Sequence, residues 1–133
     1  MYLDLLNDDE QKFFLEVARY SMGLNGEYKA EEEQILAGYK YECQLVGYTA
    51  HRQNEIEKII ISLKSSTKKV KKIILIELLG IFLADGEMCD HESQFLKKLS
   101  EEFNIDNYEL KRIQRWVYAM NDIVAEGYEL ISK

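Results

Sequence analysis

Hydrophobic residues recur along the chain at spacings of three and four, the period of one face of an α-helix. The first such segment, residues 13–22, is preceded by Asn7 with Glu10 three residues later, which is the sequence pattern of a capping box. Asn25-Gly26 follows as a stop signal, because both residues tolerate a left-handed backbone. The pattern predicts a first helix over residues 8–23.

Five further segments share this period. They predict helices that start near Ala30, span Asn54–Leu63, span Lys68–Ala84, run from an Asp90 N-cap to Asn104, and run from Asp106 towards the end of the chain. Asp106 and Glu109 form a second capping-box pattern, and Gly127 predicts a kink in the last helix. That helix carries an apolar stripe that we expect to face inward: Leu110, Ile113, Trp116, Val117, Met120, Ile123 and Val124.

The composition agrees with a helical protein. The chain has 133 residues, no proline and seven glycines, which favours long helices over a loop-rich β fold. No stretch shows persistent alternation of apolar and polar residues. A chain of this length forms one domain and buries roughly two-thirds of its unfolded surface. The sequence therefore predicts a single-domain, all-α bundle of about six helices over residues 1–133.

An internal repeat relates the two halves of the chain. Gly26–Leu36 aligns without a gap on Gly86–Leu96, and both segments read Gly-Glu, four residues, Glu, one residue, Gln, an apolar residue and Leu. Each copy is an apolar helix, a tight Asn/Asp-Gly turn and a helix that begins with acidic residues. The repeat, at about 13–40 and 73–100, predicts two helical hairpins related by a pseudo-twofold axis.

Charge and targeting signals narrow the functional class. The net charge of −7 argues against generic nucleic-acid binding, which depends on neutralising phosphates. Two cysteines cannot form a disulfide framework, which favours a reducing compartment. The acidic start lacks the features of a signal peptide, and the most apolar stretch, residues 70–84, is interrupted by charges and too short to span a membrane. We expect a cytoplasmic protein.

The repeated acidic turns are the first candidate site. Asp85, Glu87 and Glu92 offer carboxylates, which are the ligands of hard cations such as Ca²⁺, Mg²⁺ or Mn²⁺. An ordinary EF-hand is excluded because Ile81 and Leu83 would occupy its first and third ligand positions. If the two hairpins face each other, the first copy completes a shared site with three more residues: Asn25, Glu27 and Glu32.

The same residues also have a purely structural interpretation. Asp85-Gly86 ends a helix, and Glu87 is then a solvated loop residue. Glu92 lies in the first turn of the next helix, where the helix dipole favours a carboxylate without any metal.

The second copy resembles a known family. Residues 79–87, Leu-Gly-Ile-Phe-Leu-Ala-Asp-Gly-Glu, followed by Glu92 and Phe95-Leu96, resemble the tellurite-resistance TerB-like family, and also the N-terminal part of some DnaJ-type co-chaperones. The resemblance implies a compact helical domain with two hairpins, a link to tellurite resistance or stress responses, and metal binding by the acidic turns. The first copy departs from the motif, with Leu24-Asn25-Gly26 in place of Ala-Asp-Gly.

A basic cluster forms the second candidate site. Residues 49–80 contain seven basic and three acidic side chains within an acidic protein. Four lysines stand at the start of one predicted helix, where they oppose its dipole: Lys68, Lys69, Lys71 and Lys72. They predict contact with an acidic protein partner or peripheral contact with an anionic membrane, and the alternative is a solubilising helix face. Tyr39, Tyr41 and Tyr48 form a further candidate interface.

Other chemistry finds less support in the sequence. A zinc site would need Cys89 and His91 to meet Cys43 and His51, whose spacing matches no zinc-finger pattern. No nucleophile elbow or glycine-rich phosphate loop occurs, so an enzyme is less favoured, although Glu27 and Glu87 could act as paired acid and base. The sequence predicts a non-enzymatic stress-response or interaction module that binds a divalent cation. The alternative is a metal-free scaffold for protein–protein interaction.

Overall fold

The computed structural model describes residues 1–84 and 86–132, and all regular secondary structure within these ranges is helical. Two short 3-10 segments, Leu3–Leu5 and Gln53–Glu55, precede the first and third helices. The six α-helices are α1 (Asp8–Met22), α2 (Ala30–Glu42), α3 (Ile56–Leu63), α4 (Lys68–Phe82), α5 (Asp90–Glu102) and α6 (Asn107–Ile131). The prediction of an all-α bundle with about six helices is confirmed.

Most helix starts follow the capping chemistry of the sequence. The Asn7 side chain accepts from the Glu10 N–H at 2.8 Å and the Glu10 carboxylate accepts from the Asn7 N–H at 2.9 Å, which completes the predicted capping box of α1. Asp106 accepts from the Glu109 N–H at 2.8 Å, as predicted, but the Glu109 carboxylate turns away to pair with two lysines. The α5 N-cap is Cys89, so the prediction of an Asp90 cap is wrong by one residue.

The two halves of the chain align with a constant offset over both hairpins. Helices α1 and α4 each have 15 residues, helices α2 and α5 each have 13, and each pair starts 60 residues apart. The turns match as well: Gly26 and Gly86 have φ of 90° and 102°, a region that favours glycine. Gln44 and Asn104, which follow the second helix of each half, have φ of 57° and 56°. The repeat therefore extends well beyond the eleven residues in which the sequence displays it.

Helices α1 and α4 form the centre of the bundle. Helix α1 packs on α2 and α3, helix α4 packs on α5 and α6, and α1 and α4 contact each other between the halves. The core contains fully buried apolar side chains from both central helices, among them Phe14, Leu15, Ile74, Leu75 and Leu78. The apolar circumference of α4 is explained by this position, since the helix has neighbours on several sides.

The stripe predicted to face inward on α6 is buried only in its first half. Leu110 and Val117 are buried, whereas Trp116 is 43% exposed, Ile123 is 69% exposed and Val124 is 51% exposed. The physical reason is length. Helix α6 has 25 residues and α4 has 15, so α6 is about 15 Å longer than the helix on which it packs. Helix α6 also remains continuous through the glycine at which the sequence predicted a kink.

Candidate functional site

The two acidic turns meet at a cleft of about 400 Å³ between the hairpins. Its apolar lining comes from Ile35 of α2 and from Ile81 and Phe82 at the end of α4. Its polar lining contains four carboxylates, one amide, one amine and one thiol: Glu31, Glu32, Glu87, Glu92, Asn25, Lys29 and Cys89. The repeat brings these residues together, because each hairpin contributes its turn and the first turn of its second helix.

Four of the six residues predicted to bind a metal line this cleft: Asn25, Glu32, Glu87 and Glu92. Glu27 does not line it. Its carboxylate is 73% exposed and lies 4.0 Å from the ammonium of Lys29, a separation at the outer limit of an ion pair. Asp85, the remaining predicted ligand, lies outside the residues that the structure describes.

Two of the cleft carboxylates already have a structural role. Glu32 accepts a hydrogen bond from the backbone N–H of Lys29 at 3.1 Å, and Glu92 accepts one from the backbone N–H of Cys89 at 2.9 Å. These pairs occupy equivalent positions in the two halves, and each bond uses the Oε1 atom. Since a carboxylate has two acceptor oxygens, each glutamate can cap its helix and still offer one oxygen to a ligand.

The cleft does not form a cage of protein ligands. Within residues 1–84 and 86–132, no three His, Cys, Asp or Glu side chains lie close enough to hold a metal ion together. This result excludes the zinc site considered from Cys43, His51, Cys89 and His91, all of which the structure describes. Mg²⁺ commonly keeps several waters and binds through one or two carboxylates, an arrangement that needs no such cage.

Asn25 shapes the first turn. Its side-chain oxygen accepts a hydrogen bond from the Glu27 N–H at 3.3 Å, and Gly26 between them has the positive φ described above. Tyr28 follows, with the guanidinium of Arg19 stacked 3.6 Å from the centre of its ring. Burial raises the pKa of the Tyr28 hydroxyl. The turn of the first hairpin therefore carries the Asn25 amide and the aromatic contact of Tyr28. The equivalent turn of the second hairpin has other residues at these positions.

The predicted basic cluster divides into two pairs. Lys72 and Lys68 lie 2.8 and 3.3 Å from the carboxylate oxygens of Glu109 on α6. The hydrogen bond from Lys72 is the main cause that lowers the pKa of Glu109. Lys69 is exposed and Lys71 is half-buried at the surface. Half of the cluster therefore joins α4 to α6, which explains its unfavourable position at a helix N-terminus.

A fully buried carboxylate that the sequence analysis missed anchors the loop between α2 and α3. Glu16 on α1 accepts hydrogen bonds from the backbone N–H of Arg52 at 2.8 Å, from the Gln53 amide at 3.0 Å and from the His51 N–H at 3.3 Å. The Tyr48 hydroxyl donates to the same carboxylate. A sequence signal was present, because Glu16 interrupts the run of apolar residues on α1.

Glu77 has a comparable position in the second half, on α4. With Glu42 of α2 it holds the N-terminal segment: the Met1 ammonium lies 3.1 Å from Glu77 and 2.9 Å from Glu42. The Tyr2 N–H donates to Glu77 at 3.0 Å, and the Leu3 N–H donates to Glu42 at 3.0 Å. Burial lowers the pKa of the Met1 ammonium, but hydrogen bonds to both carboxylates outweigh it and raise that pKa overall.

Of the tyrosines considered as an interface, Tyr41 is well exposed. Tyr39 packs its ring edge-on against Phe14, with ring centres 5.4 Å apart, and its hydroxyl points to the backbone oxygen of Glu77. Tyr48 binds Glu16, as described above. Two of the three tyrosines therefore use their side chains for contacts within the bundle.

Comparisons with protein-family models, with curated proteins and with solved structures find no match for this chain. Over the residues that the structure describes, none of the helices is both long and apolar enough to cross a membrane.

Proposed function

We propose that this chain is a non-enzymatic interaction module of the TerB-like type, in which the cleft between the turns binds a hydrated divalent cation. The observation that carries the proposal is the meeting of two equivalent acidic turns at one cleft, which is lined by Glu32 from the first hairpin and by Glu87 and Glu92 from the second. The resemblance of residues 79–87 to the family motif supports the same assignment.

The chemistry of the cleft suits a cation that keeps part of its water shell. Glu87 is exposed and makes no capping bond among those described, so its carboxylate is available to the ion. The Oε2 atoms of Glu32 and Glu92 can accept hydrogen bonds from the bound waters, while their Oε1 atoms continue to cap α2 and α5. A bound ion would thereby fix the two turns relative to each other and present one acidic face to a protein partner.

The residues of this cleft suit the binding of a ligand better than they suit catalysis. Acid–base catalysis by paired carboxylates would need Glu27 beside Glu87, and Glu27 does not line the cleft. We also propose that the protein is cytoplasmic and that it takes part in a stress response. The two free thiols, Cys43 and Cys89, support a reducing compartment, and the resemblance supports the stress response.

The second candidate function is a metal-free scaffold for protein–protein interaction. It is favoured by the capping bonds of Glu32 and Glu92, which give both carboxylates a role without any ion. In this function the exposed Lys69 and the surface Lys71 would bind an acidic partner, because Lys68 and Lys72 are committed to Glu109.

Thermal unfolding in EDTA and in millimolar Mg²⁺, Ca²⁺ and Mn²⁺ separates the two candidates. A ligand present at about 100 times its dissociation constant adds roughly 2.7 kcal/mol to the stability, a shift of several degrees at this size. We expect one ion to raise the midpoint of the wild type and Glu87→Gln to abolish the increase. Glu101→Gln, on the exposed face of α5 and outside the cleft, is the matched control and keeps the full increase.

An unchanged midpoint in every ion would contradict the cation site and support the metal-free scaffold. An increase that Glu87→Gln and Glu101→Gln reduce equally would show a general ionic effect, and would contradict the cleft as the binding site. In the scaffold case, reversing the charges of Lys69 and Lys71 weakens the capture of an acidic partner, while reversing Glu87 does not.

A further inference from the structure

The second half of α6 exposes an apolar stripe that the bundle does not cover. Leu130 is 75% exposed and Ile131 is 79% exposed, in addition to the exposed Ile123 and Val124. We call the line of positions along this stripe the seam of α6. Its positions follow one another at alternating spacings of three and four: Ile113, Trp116, Met120, Ile123, Gly127 and Leu130. This alternation is the heptad pattern of a helix that packs along a second helix. A helix surrounded by water on all sides does not require this heptad pattern. Exposed apolar stripes of this kind mark interaction sites.

The stripe leads into a groove beside the first half of the same helix. Ile113 and Trp116 of α6 line this groove of about 320 Å³ together with Ile76 of α4, and its charged rim carries Arg112 and Lys72, the latter paired with Glu109. A neighbouring hollow continues it along α4 towards the N-terminal segment, with Lys69 at its edge. The groove therefore combines an apolar floor with positive charge, and it suits an acidic amphipathic helix.

The charges along α6 change sign at the middle of the helix. The exposed basic residues of the first half are Lys111, Arg112 and Arg115, and the exposed acidic residues of the second half are Asp122, Glu126 and Glu129. At 100° per residue, five of the six fall on one flank of the apolar stripe, and Lys111 lies on the face opposite the stripe. In an antiparallel helix pair, each flank faces the same flank of the other helix. Two copies of α6 in this orientation would place the basic half of each opposite the acidic half of the other.

Gly127 supports a close approach at the seam. It lies inside α6, where glycine costs about 1 kcal/mol relative to alanine. Its backbone does not require glycine, since it is helical, and apart from its chain neighbours and the adjacent backbone of α6 no described atom lies within 4 Å of the place where a Cβ would stand. In an antiparallel pair centred near Met120, Gly127 of one copy lies at about the level of Trp116 of the other. The missing side chain leaves space for that indole ring.

We infer that two copies of this chain associate through α6 in antiparallel orientation. The acidic second half of each α6 packs along the seam and the basic-rimmed groove of the other copy. Arg115 of one copy faces Glu126 of the other, and Arg112 faces Glu129. The contact is the same on both copies, so it closes as a twofold dimer and leaves no free end for further assembly.

Sedimentation velocity on the full chain over a series of concentrations tests this dimer. We expect the 15.6 kDa chain to form a dimer whose dissociation constant rises with salt, because the flanking charges are exposed. Ile123→Asp should yield monomers with an unchanged helical circular dichroism, since Ile123 lies outside the core. Lys97→Glu, an exposed change on α5, is the control and leaves the association unaltered.

A charge exchange tests the orientation. Arg115→Glu and Glu126→Arg alone each place like charges together at two symmetric points, and we expect each to raise the dissociation constant about tenfold or more. The two changes combined in one chain restore opposite charges in an antiparallel pair, and dimerisation should recover. A wild type that stays monomeric, a dimer that persists in Ile123→Asp, or a double variant no better than the singles would each overturn the proposal.

Discussion

The hydroxyl of Tyr48 donates a hydrogen bond to the buried carboxylate of Glu16, and this contact ties the loop between α2 and α3 to the central helix α1. The Arg52 guanidinium does not neutralise this carboxylate, because it pairs with Glu55 at 3.2 Å. Backbone and amide groups donate to the Glu16 carboxylate instead. The loop therefore depends on one side chain that belongs to another part of the sequence.

Replacing Glu16 should destabilise the protein strongly. Glu16→Leu leaves four partly buried donors without their acceptor, and we expect a loss of about 3 kcal/mol in the free energy of unfolding. Tyr48→Phe removes one donor and should cost about 1 kcal/mol. Urea unfolding measures both values, and Glu33→Leu, an exposed change on α2, is the control. Amide exchange should also accelerate at His51 and Arg52 in Glu16→Leu, and unchanged exchange there would contradict the anchoring role.

Stability should fall as the solution becomes alkaline. Burial, with the nearby Glu42 charge, raises the pKa of the Cys43 thiol to about 11, and burial also raises the pKa values of the Tyr39 and Tyr48 hydroxyls. These groups stay neutral in the fold at pH values where the unfolded chain ionises them. Their stabilising contribution is complete below the ordinary thiol pKa of 9.0 and is lost as the pH rises above it.

Urea unfolding at a series of pH values from neutral to about 11 measures this dependence. Cys43→Ala removes one of the three groups and should make the alkaline decline shallower, although it also lowers stability at neutral pH by removing a buried side chain. Cys89→Ala is the matched thiol control, because Cys89 is only half-buried. If both variants follow the wild-type slope, the buried thiol does not contribute to the decline.

The ion pair between Lys72 and Glu109 should contribute a small, pH-dependent stability. Its oxygen–nitrogen distance is 2.8 Å, and it joins α4 to α6 near the N-termini of both helices. The hydrogen bond from Lys72 lowers the pKa of Glu109, so the contribution is present above the ordinary glutamate pKa and is lost as the pH falls through the folded value.

A double-mutant cycle measures this coupling. Lys72→Ala and Glu109→Ala should be less destabilising together than the sum of their separate effects at neutral pH, and additive at acidic pH where Glu109 is protonated. Lys71→Ala, which lies in the same turn of α4 without an ion pair to Glu109, should show no coupling with it. Equal coupling for Lys71 and Lys72 would contradict the specific pair.

The helix starts were predictable because they depend on neighbouring residues. Asn7 and Glu10 meet whatever the rest of the chain does, since both bonds lie within one turn. Glu109 lies at the same position of the same motif, yet its carboxylate binds Lys72 and Lys68 from another helix. Local patterns cannot anticipate such a competition, because the competing partner is brought close only by the fold.

The inward face of α6 was mispredicted for a related reason. Trp116, Ile123 and Val124 have the spacing of a buried stripe, and spacing indicates only that some apolar surface will cover them. It does not indicate whether that surface belongs to the same chain. The length of α6 relative to α4 decides the outcome, and it becomes visible only when both helices are placed.

The candidate cleft was predictable in outline and not in detail. The repeat indicated that the two turns could meet, and Asn25, Glu32, Glu87 and Glu92 do line one cleft. The distance of Glu27 from that cleft follows from the conformation of its turn, which the sequence pattern alone does not determine.

The two buried glutamates on the central helices carry a consequence for the ancestry of the fold. Glu16 and Glu77 are 61 residues apart, one more than the repeat, so each occupies the position next to its counterpart and leaves its helix in a different direction. Glu16 holds the loop after α2, whereas Glu77 holds the start of the chain. If the halves arose by duplication, this one-residue offset made them unequal. Two copies of the first half could not substitute for the whole, because Val17 would take the place of Glu77, one of the two carboxylates that hold the N-terminal segment.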